Sequence, residues 1–293
     1  MKNIDRSRPY DKDILDKLHK LHLEMLQDVA ALCKKYNLNY FAVFGTALGA
    51  ERHKGFIPWD DDTDIGMLRE DYDIFIRVVD KELGDKYRIM TPEVDKKYAC
   101  NVTKLQRKGT VFISHLSKKL KCEQCIFVDI FPFDRVAPTL KQARRQQIST
   151  TFLSRLLYLC GTPYPLIPYK GIKKIIAEII CWCTYYLTKI LPISTTVLYK
   201  QYVKECTRYN NAKTNRVTSF CDAGALQYIV SVNHMFPIKE VPYEDIMINV
   251  LNNNKEHLKN VYGDFMKIPS VNDRINHVPY IIQFEGEKPI IHE

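Results

Sequence analysis

The feature of this chain that most constrains its fold is a cluster of acidic residues directly before an apolar run. Four of the five residues from Asp60 to Asp64 are aspartates, and Ile65-Gly66-Met67-Leu68 follows at once. Carboxylates packed a few ångströms apart raise one another's pKa, so a fold that holds them together calls for a cation. Carboxylate oxygens suit Mg²⁺ or Mn²⁺, and also Ca²⁺. We therefore predict that this cluster binds a divalent metal.

The spacing of the aspartates predicts which of them act together. If residues 63–68 form a strand, Asp62 and Asp64 point to one face, because side chains alternate along a strand. Asp60 joins them if the chain stays extended there. A solvated acidic loop and a calcium-binding loop are the alternatives. The apolar residues that follow argue against the first, and Ile65 stands where the second needs glycine.

Further elements are predicted on both sides of the cluster. Tyr40–Phe44 is an apolar strand, Gly45-Thr46 follows it, and Ala47–Arg52 is predicted to be a short helix. Free N–H groups at such a helix start bind phosphate, although a glycine after a strand is also an ordinary turn. Downstream, Ile126–Phe131 predicts a strand with Asp129 inside it. A buried acid needs a partner, so we predict that Asp129 binds metal or accepts a proton, or else pairs with an arginine.

This order of elements resembles the nucleotidyltransferase fold, in which a glycine turn, an acid-x-acid strand and a third carboxylate form the site. The chain also resembles, more specifically, the LicD family of phosphocholine transferases of bacterial surface glycans, which are related to the fukutin-type phosphotransferases. This resemblance covers residues 15–134 and 240–277. The motifs that carry it are Phe44–Ala50, Arg52–Asp62, Asp64–Met67 with Arg69 and Asp71-Tyr72, Phe127–Asp134, and Tyr262–Met266 with Pro269 and Arg274.

The resemblance implies a metal-dependent transferase. Phosphocholine, or a similar phospho-alcohol, would pass from CDP-choline or another CDP-alcohol to a hydroxyl of a cell-surface glycan or its lipid-linked precursor, and CMP would leave. The residues expected to hold Mg²⁺ or Mn²⁺ are Asp60, Asp62, Asp64 and Asp129. Asp129 is also expected to take the proton of the acceptor hydroxyl. The residues expected to contact the donor are Gly45, Thr46, Arg52, His53, Lys54, Arg69 and Arg274.

Other functions and plainer interpretations of these residues stay open. A nucleotidyltransferase that moves a nucleoside monophosphate to a small-molecule or glycan acceptor needs the same carboxylates. A non-catalytic interaction module on this fold does not, and the intact carboxylate set argues against it. The basic residues are also compatible with ordinary loop surface. Because zinc needs four ligands and only His115 is close in sequence, Cys122 and Cys125 are expected to be plain thiols.

The alternation of elements predicts an α+β fold: a nucleotidyltransferase-like mixed sheet with flanking helices and an inserted helical subdomain. We expect a catalytic core over residues 1–138, a basic amphipathic helical subdomain over 139–213, and a C-terminal part over 214–293 that completes the core. Ten basic residues and one acid lie between Val136 and Lys204, a local charge of +9 that equals the charge of the whole chain. The excess of positive charge therefore belongs to one segment.

This basic segment has three interpretations: a buried helical subdomain with solvated faces, a nucleic-acid surface, or a contact with anionic lipid. Its many aliphatic and aromatic residues disfavour nucleic acid and favour peripheral membrane contact. Met1–Tyr10 lacks the apolar core of a signal peptide, and no apolar run approaches the roughly 20 residues of a spanning helix. The nine cysteines are odd in number and irregularly spaced. We therefore expect reduced thiols and a cytoplasmic protein associated with the inner face of the membrane.

Overall fold

The computed structural model describes residues 9–167, 169–191 and 193–292. A long helix, α1 (Lys12–Lys35), opens this described part. The side chain of Asp11 caps the helix by accepting hydrogen bonds from two backbone N–H groups of the first turn. One face of the helix is buried because apolar residues recur at intervals of three and four.

The first half of the chain builds most of a mixed sheet. Its other elements are β1 (Phe41–Ala42), α2 (Phe44–Arg52), β2 (Asp64–Leu68), α3 (Arg69–Leu83), β3 (Tyr87–Met90), β4 (Thr103–Arg107), β5 (Val111–Ile113) and β6 (Phe127–Arg135). Five strands lie in the order β1-β2-β6-β4-β3. Strands β2 and β6 are parallel, and the other neighbours in this order are antiparallel.

The two faces of β2 belong to different packing clusters. Ile65 and Met67 are fully buried in the main core, which also contains the apolar faces of α1 and α3. On the opposite face, an added Cβ atom at Gly66 would lie 2.5 Å from the ring of Phe41 and 2.8 Å from that of Phe133. Glycine is therefore required for these two rings to approach the strand. Asp64 shares this second face because side chains alternate along the strand.

Three helices follow the first half: α4 (Leu140–Gly161), α5 (Ile172–Ile190) and α6 (Thr195–Thr207). Helices α4 and α6 enclose a separate cluster that includes Leu157, Tyr199 and Tyr202. Helix α5 packs against α4. Within the described ranges, no single helix has the length and apolarity needed to cross a bilayer. Helices α5 and α6 meet that test only as a pair, and this pair is bent by 114°.

The C-terminal elements return to the first half of the chain. They are β7 (Arg216–Thr218), β8 (Val230–Ser231), α7 (Val232–Met235), β9 (Lys239–Tyr243), β10 (Ile246–Val250), α8 (Asn254–Tyr262), β11 (Ile281–Gln283) and β12 (Ile290–Ile291). Strand β7 extends the main sheet from the end of β6, and β8 pairs with β7. Strand β11 pairs with β5 in a separate small sheet. The division at residues 138 and 213 stays a prediction.

The predicted α+β class is confirmed, and the helix predicted at Ala47–Arg52 begins three residues earlier, at Phe44. One strand is longer than predicted. Strand β6 continues past Phe131 through Pro132, because its pairing with β4 ends at Ile130 and the missing N–H of the proline is not needed for that pairing.

Candidate active site

Two aspartates stand side by side on the central strands of the main sheet. Asp64 begins β2, and Asp129 occupies the facing register position on the parallel strand β6. The backbone N–H of Asp129 donates to the carbonyl of Thr63 at 2.9 Å. The backbone N–H of Asp64 donates to the hydroxyl of Thr46 at 2.8 Å. The backbone of both residues is therefore fixed, and their carboxylates project from adjacent strands.

Asp60 and Asp62 join this site from the loop before β2. Burial, followed by repulsion from Asp61, raises the pKa of Asp62 to about 6. Burial also raises the pKa of Asp60 and of Asp64 well above the ordinary value, and repulsion from Asp62 adds to both shifts. Charged carboxylates that destabilise one another in this way favour the binding of a cation.

A lysine that the sequence did not single out lies against the cluster. Lys104 on β4 faces Asp129 in register, and its ammonium donates to that carboxylate at 2.7 Å. The same ammonium lies 3.0 Å from the centre of the Phe127 ring. Burial raises the pKa of Asp129, and Lys104 opposes part of this rise. The pKa of Asp129 therefore stays above the ordinary value for an aspartate. A carboxylate with a raised pKa is a stronger base, which suits a general base.

Asp61 anchors a distant segment at the site. Its buried carboxylate accepts a hydrogen bond from the backbone N–H of His277 at 2.9 Å. The imidazole Nδ1 of His277 lies 3.3 Å from the same oxygen and 3.7 Å from the carboxylate of Asp62. Because 216 positions separate the two residues in sequence, no local pattern could have marked His277 as part of the site.

Two pockets meet at the carboxylates. The open pocket, with a volume of about 510 Å³, lies between α2 and the C-terminal segment, and its lining includes Gly45, Arg52, Trp59, Asp60, Asp64 and Tyr262. The apolar pocket, with a volume of about 340 Å³, has walls that include Tyr98, Phe112, Phe127, Asp129 and Tyr158. Asp62 and His277 line both pockets. The site can therefore hold two chemically different groups on either side of Asp62.

Of the residues predicted to contact the donor, Gly45 lines the open pocket directly. An added Cβ atom there would lie 2.5 Å from Oδ2 of Asp60, so a side chain would collide with that carboxylate. The preceding Phe44 has a φ angle of 47°, a strained conformation for an aromatic residue. Thr46 is buried, and its hydroxyl accepts the hydrogen bond from Asp64. Its side chain therefore positions Asp64 instead of lining the pocket.

The three basic residues at the end of α2 take different positions. Arg52 lines the open pocket, and its guanidinium donates to the carbonyl of Phe265 and to the ring of His53, both at 2.9 Å. The His53 ring lies edge-on to Trp59, with 6.4 Å between the ring centres. Lys54 is exposed and lines neither pocket. Arg52 is therefore the one of the three that both lines the open pocket and holds its rim.

Arg274 approaches the open pocket from the C-terminal segment. Its guanidinium lies 4.2 Å from the centre of the Trp59 ring, which lines that pocket. Its Nε atom is buried and finds no hydrogen-bond partner among the residues that the structure describes. Arg274 itself is not part of the pocket lining, so its contact with the donor stays a prediction.

Arg69 lies apart from both pockets. It follows the last residue of β2, so at least about 13 Å of strand separates it from Asp64. Its guanidinium is buried and binds both carboxylate oxygens of Asp134, at 2.9 and 2.6 Å. It also stacks over the ring of Tyr72. Arg69 was expected to contact the donor. In the structure it forms an ion pair with the buried Asp134, away from both pockets.

Carboxylate oxygens are suitable ligands for a divalent metal, but these aspartates do not form a complete coordination site by themselves. No three acidic, histidine or cysteine side chains in the described part of the chain meet at metal-ligand spacing. Mg²⁺ is typically held by one or two carboxylates, with water and substrate phosphates in the other positions. Asp62 and Asp64 fit that pattern, and ligation by all four predicted aspartates stays a prediction. All nine cysteines are free thiols, as expected.

The sequence is similar to a known protein family and to known proteins. Residues 37–154 match the family described as LicD/FKTN/FKRP, nucleotidyltransferase domain. The chain is 29% identical over 267 residues to the lipopolysaccharide cholinephosphotransferase LicD of Haemophilus influenzae, a match that covers 87% of this chain and 92% of that protein. Over 68 residues it is 44% identical to an uncharacterized protein of Rickettsia typhi, covering 22% of this chain and 21% of that protein.

Proposed function

We propose that this protein is a phosphocholine transferase that acts on lipopolysaccharide or a related glycan, because residues 37–154 match the LicD/FKTN/FKRP nucleotidyltransferase domain and the chain is 29% identical to a lipopolysaccharide cholinephosphotransferase. The donor would be CDP-choline or a similar CDP-alcohol. The observation that carries the proposal is the position of Asp62, which stands between the open and apolar pockets beside the paired Asp64 and Asp129. In this reaction the link between the two phosphates of the donor breaks. We expect that link to lie beside Asp62, at the boundary between the two pockets.

The open pocket suits the cytidine diphosphate part of the donor. Gly45 lines this pocket at the start of α2, where backbone N–H groups favour an anion, and a larger residue there would collide with Asp60. Arg52 lines this pocket, and the guanidinium of Arg274 lies against the Trp59 ring of its wall, so both bring positive charge close to the expected diphosphate.

The carboxylates account for the need for a metal. A Mg²⁺ or Mn²⁺ ion bound between Asp62, Asp64 and the donor would neutralise the diphosphate and the charge that develops on the leaving CMP. Without a cation, the aspartates would repel the donor phosphates. Asp60 lies close enough to Asp62 for the charge of Asp62 to raise the pKa of Asp60, so Asp60 adds to the negative field at the site when it is ionised.

Asp129 is placed to take the proton of the acceptor. Its raised pKa fits a general base, and Lys104 holds its carboxylate in position. The acceptor oxygen would form a bond to the phosphorus of phosphocholine as the bond from that phosphorus to the CMP oxygen breaks. The hydroxyl proton would pass to Asp129. The products are CMP and the phosphocholine-modified glycan.

The apolar pocket suits the choline head group. A trimethylammonium group cannot donate classical hydrogen bonds and is bound by aromatic rings and carboxylates, and this pocket supplies both. The ammonium of Lys104 already occupies the face of Phe127, which leaves Tyr98, Phe112 and Tyr158 as the rings for the head group.

A labelled donor tests the proposal. The protein is incubated with Mn²⁺, lipopolysaccharide and CDP-choline that carries separate labels on choline and cytidine. Transfer of the choline label to lipopolysaccharide, with one CMP released for each transfer, is the expected result. Transfer of the cytidine label, or release of pyrophosphate from CTP, would instead support nucleotidyl transfer. The Asp64→Asn variant should abolish transfer, whereas Asp85→Asn, which changes an exposed aspartate after α3, should not.

A further inference from the structure

Helix α5 turns its apolar side chains toward solvent. The exposed fraction is 69% for Ile172 and 79% for Ile190, at the two ends of the helix. The exposed apolar residues recur at intervals of three and four, which places them on one face: they are Ile172, Ile175, Ile176, Ile179, Ile180, Tyr186, Leu187 and Ile190. At about 100° per residue, this stripe covers an arc of about 140° along the whole helix.

The opposite face of α5 makes the contacts with the rest of the protein. Thr188 is its single buried residue, and the helix packs against α4. The ammonium of Lys189 donates to the carbonyl of Cys160 on α4 at 2.7 Å, and the Trp182 ring contacts the ring of Tyr164. A helix of a globular protein normally buries its apolar stripe in the core. Here the stripe is left without a partner in the described part of the chain.

Most of the exposed large hydrophobic residues lie in the segment that contains α5. Of the 23 large hydrophobic residues that are exposed in the described ranges, 15 lie between residues 140 and 197, about a fifth of the chain. A contiguous apolar surface of this kind marks an interaction site.

The charge of the segment indicates what covers the stripe. Ten basic residues accompany one acid between Val136 and Lys204. Lys170, Lys173 and Lys174 surround the start of α5, and Lys189 lies near its end. Lysine stems can lie along an apolar surface while their ammonium groups reach an anionic one. A second copy of this chain would bring the same positive charge and be repelled, whereas an anionic bilayer is complementary.

We propose that the stripe of α5 docks on an anionic bilayer, with the helix lying in the plane of the interface and its isoleucines inserted below the headgroups. The helix is about 28 Å long. Because α5 is fixed to α4, and Tyr158 of α4 lines the apolar pocket, docking would hold the active site at a set distance from the membrane. Docking itself does not depend on the reaction proposed above. Its use for that reaction would be to present the site to a lipid-anchored acceptor.

Flotation with the full chain tests the proposal. Vesicles of phosphatidylglycerol and phosphatidylethanolamine are compared with vesicles of phosphatidylcholine alone. The unaltered protein should float with the anionic vesicles, and high salt should weaken binding. The Ile176→Glu/Ile179→Glu variant should lower the partition coefficient at least tenfold. Met247→Glu is the matched control, since Met247 is half exposed on β10, far along the chain from α5.

Four further readouts make the outcome decisive. The melting temperature and the release of CMP from a water-soluble donor should be unchanged in the Ile176→Glu/Ile179→Glu variant, which separates docking from folding and catalysis. The Lys170→Gln/Lys173→Gln/Lys174→Gln variant should bind anionic vesicles less tightly. The proposal is overturned if the unaltered protein stays with the soluble fraction. It is also overturned if light scattering shows a dimer that the isoleucine variant dissociates while vesicle binding is absent.

Discussion

Asp64 and Asp129 face each other across two parallel strands, and burial raises the pKa of both carboxyl groups. Like charges at such positions oppose folding, since each ionised group disfavours the other. The hydrogen bonds from the backbone of Asp64 to Thr46 and of Asp129 to Thr63 nevertheless fix both in place. Carboxylates held close at a cost to stability are typical of a site that acts on a charged substrate.

The Asp64→Asn variant should separate activity from stability. We expect the rate of choline transfer to fall at least about 100-fold, because the variant loses a ligand for the metal that would bind the donor phosphates. The free energy of unfolding of the metal-free protein at pH 7 should rise or stay the same, because repulsion with Asp62 and Asp129 is relieved. Transfer assays and urea unfolding measure the two effects. Retained activity would contradict the assignment, and Asp85→Asn serves as the control.

The contribution of Asp62 to the stability of the metal-free protein should fall as the pH rises from about 4 to above 6, so the unaltered protein should lose stability relative to Asp62→Asn over this range. The pKa of Asp62 is about 6 in the folded protein, and its ordinary value is 3.8. The folded state therefore binds this proton more tightly, so its advantage is lost as the pH passes 6. The pKa of Asp60 and of Asp64 is shifted in the same direction. Melting temperatures measured across this range, with Asp62→Asn for comparison, test the sign.

Added Mn²⁺ should raise the melting temperature more at pH 7 than at pH 5. Protons and the metal compete for the same carboxylates, and protons win below the pKa of Asp62. The Asp62→Asn variant should lose most of the metal-induced shift at pH 7. An equal shift at both pH values, or an unchanged shift in the variant, would place the metal elsewhere on the protein.

Replacing Arg69 should affect folding and leave donor affinity intact. The Arg69→Met variant leaves the carboxylate of Asp134 buried without its main partner, and such a loss costs about 3–5 kcal/mol of unfolding free energy. The variant Arg69→Met/Asp134→Leu should recover much of that loss, because no charge is then stranded. Urea unfolding measures the stability, and the KM for CDP-choline should change less than about twofold. A large rise in KM in the folded double variant would return Arg69 to the donor site.

The elements of the fold could be predicted because their signals are local. The alternation of acidic and apolar residues predicted β2. The place of Asp129 beside the other carboxylates came from the resemblance to the nucleotidyltransferase fold, which has a third carboxylate in its site. The side of α5 that faces solvent could not be predicted, because the same spacing serves a core helix and a surface helix.

The residues that sequence reasoning missed are those brought in by long-range pairing. Lys104 lies on an unremarkable strand, and its role appears only when β4 is placed beside β6. His277 reaches the site through a hydrogen bond to Asp61 across 216 positions of sequence. The assignment of Arg69 came from a motif, which names a residue but does not identify its partner. In each case the role of the residue becomes visible only when the fold shows which residue it contacts.

Arg274 should contribute to donor affinity. The Arg274→Met variant keeps an unbranched stem over Trp59 but removes the donors, including the buried Nε that has no hydrogen-bond partner in the described part of the chain. A hydrogen bond to a charged phosphate is worth about 1.5–3 kcal/mol, so KM for CDP-choline should rise about tenfold or more. The melting temperature should not fall, since no existing hydrogen bond is broken at Nε. The exposed Arg77→Met on α3 is the control, and equal effects of the two variants would argue against this role.

The last prediction concerns the choice of head group in the apolar pocket. The Tyr158→Leu variant keeps an apolar side chain but removes one aromatic face from the wall of the pocket. A cation on an aromatic ring contributes about 1–2 kcal/mol when desolvated, so the preference for CDP-choline over CDP-ethanolamine, measured as a ratio of kcat/KM values, should fall about 5- to 30-fold. Release of CMP should continue, because Tyr158 touches none of the carboxylates in the proposed chemistry. The exposed Tyr169→Leu is the control in a vesicle-free assay. An unchanged ratio would move the head group out of the apolar pocket and leave that space to the acceptor.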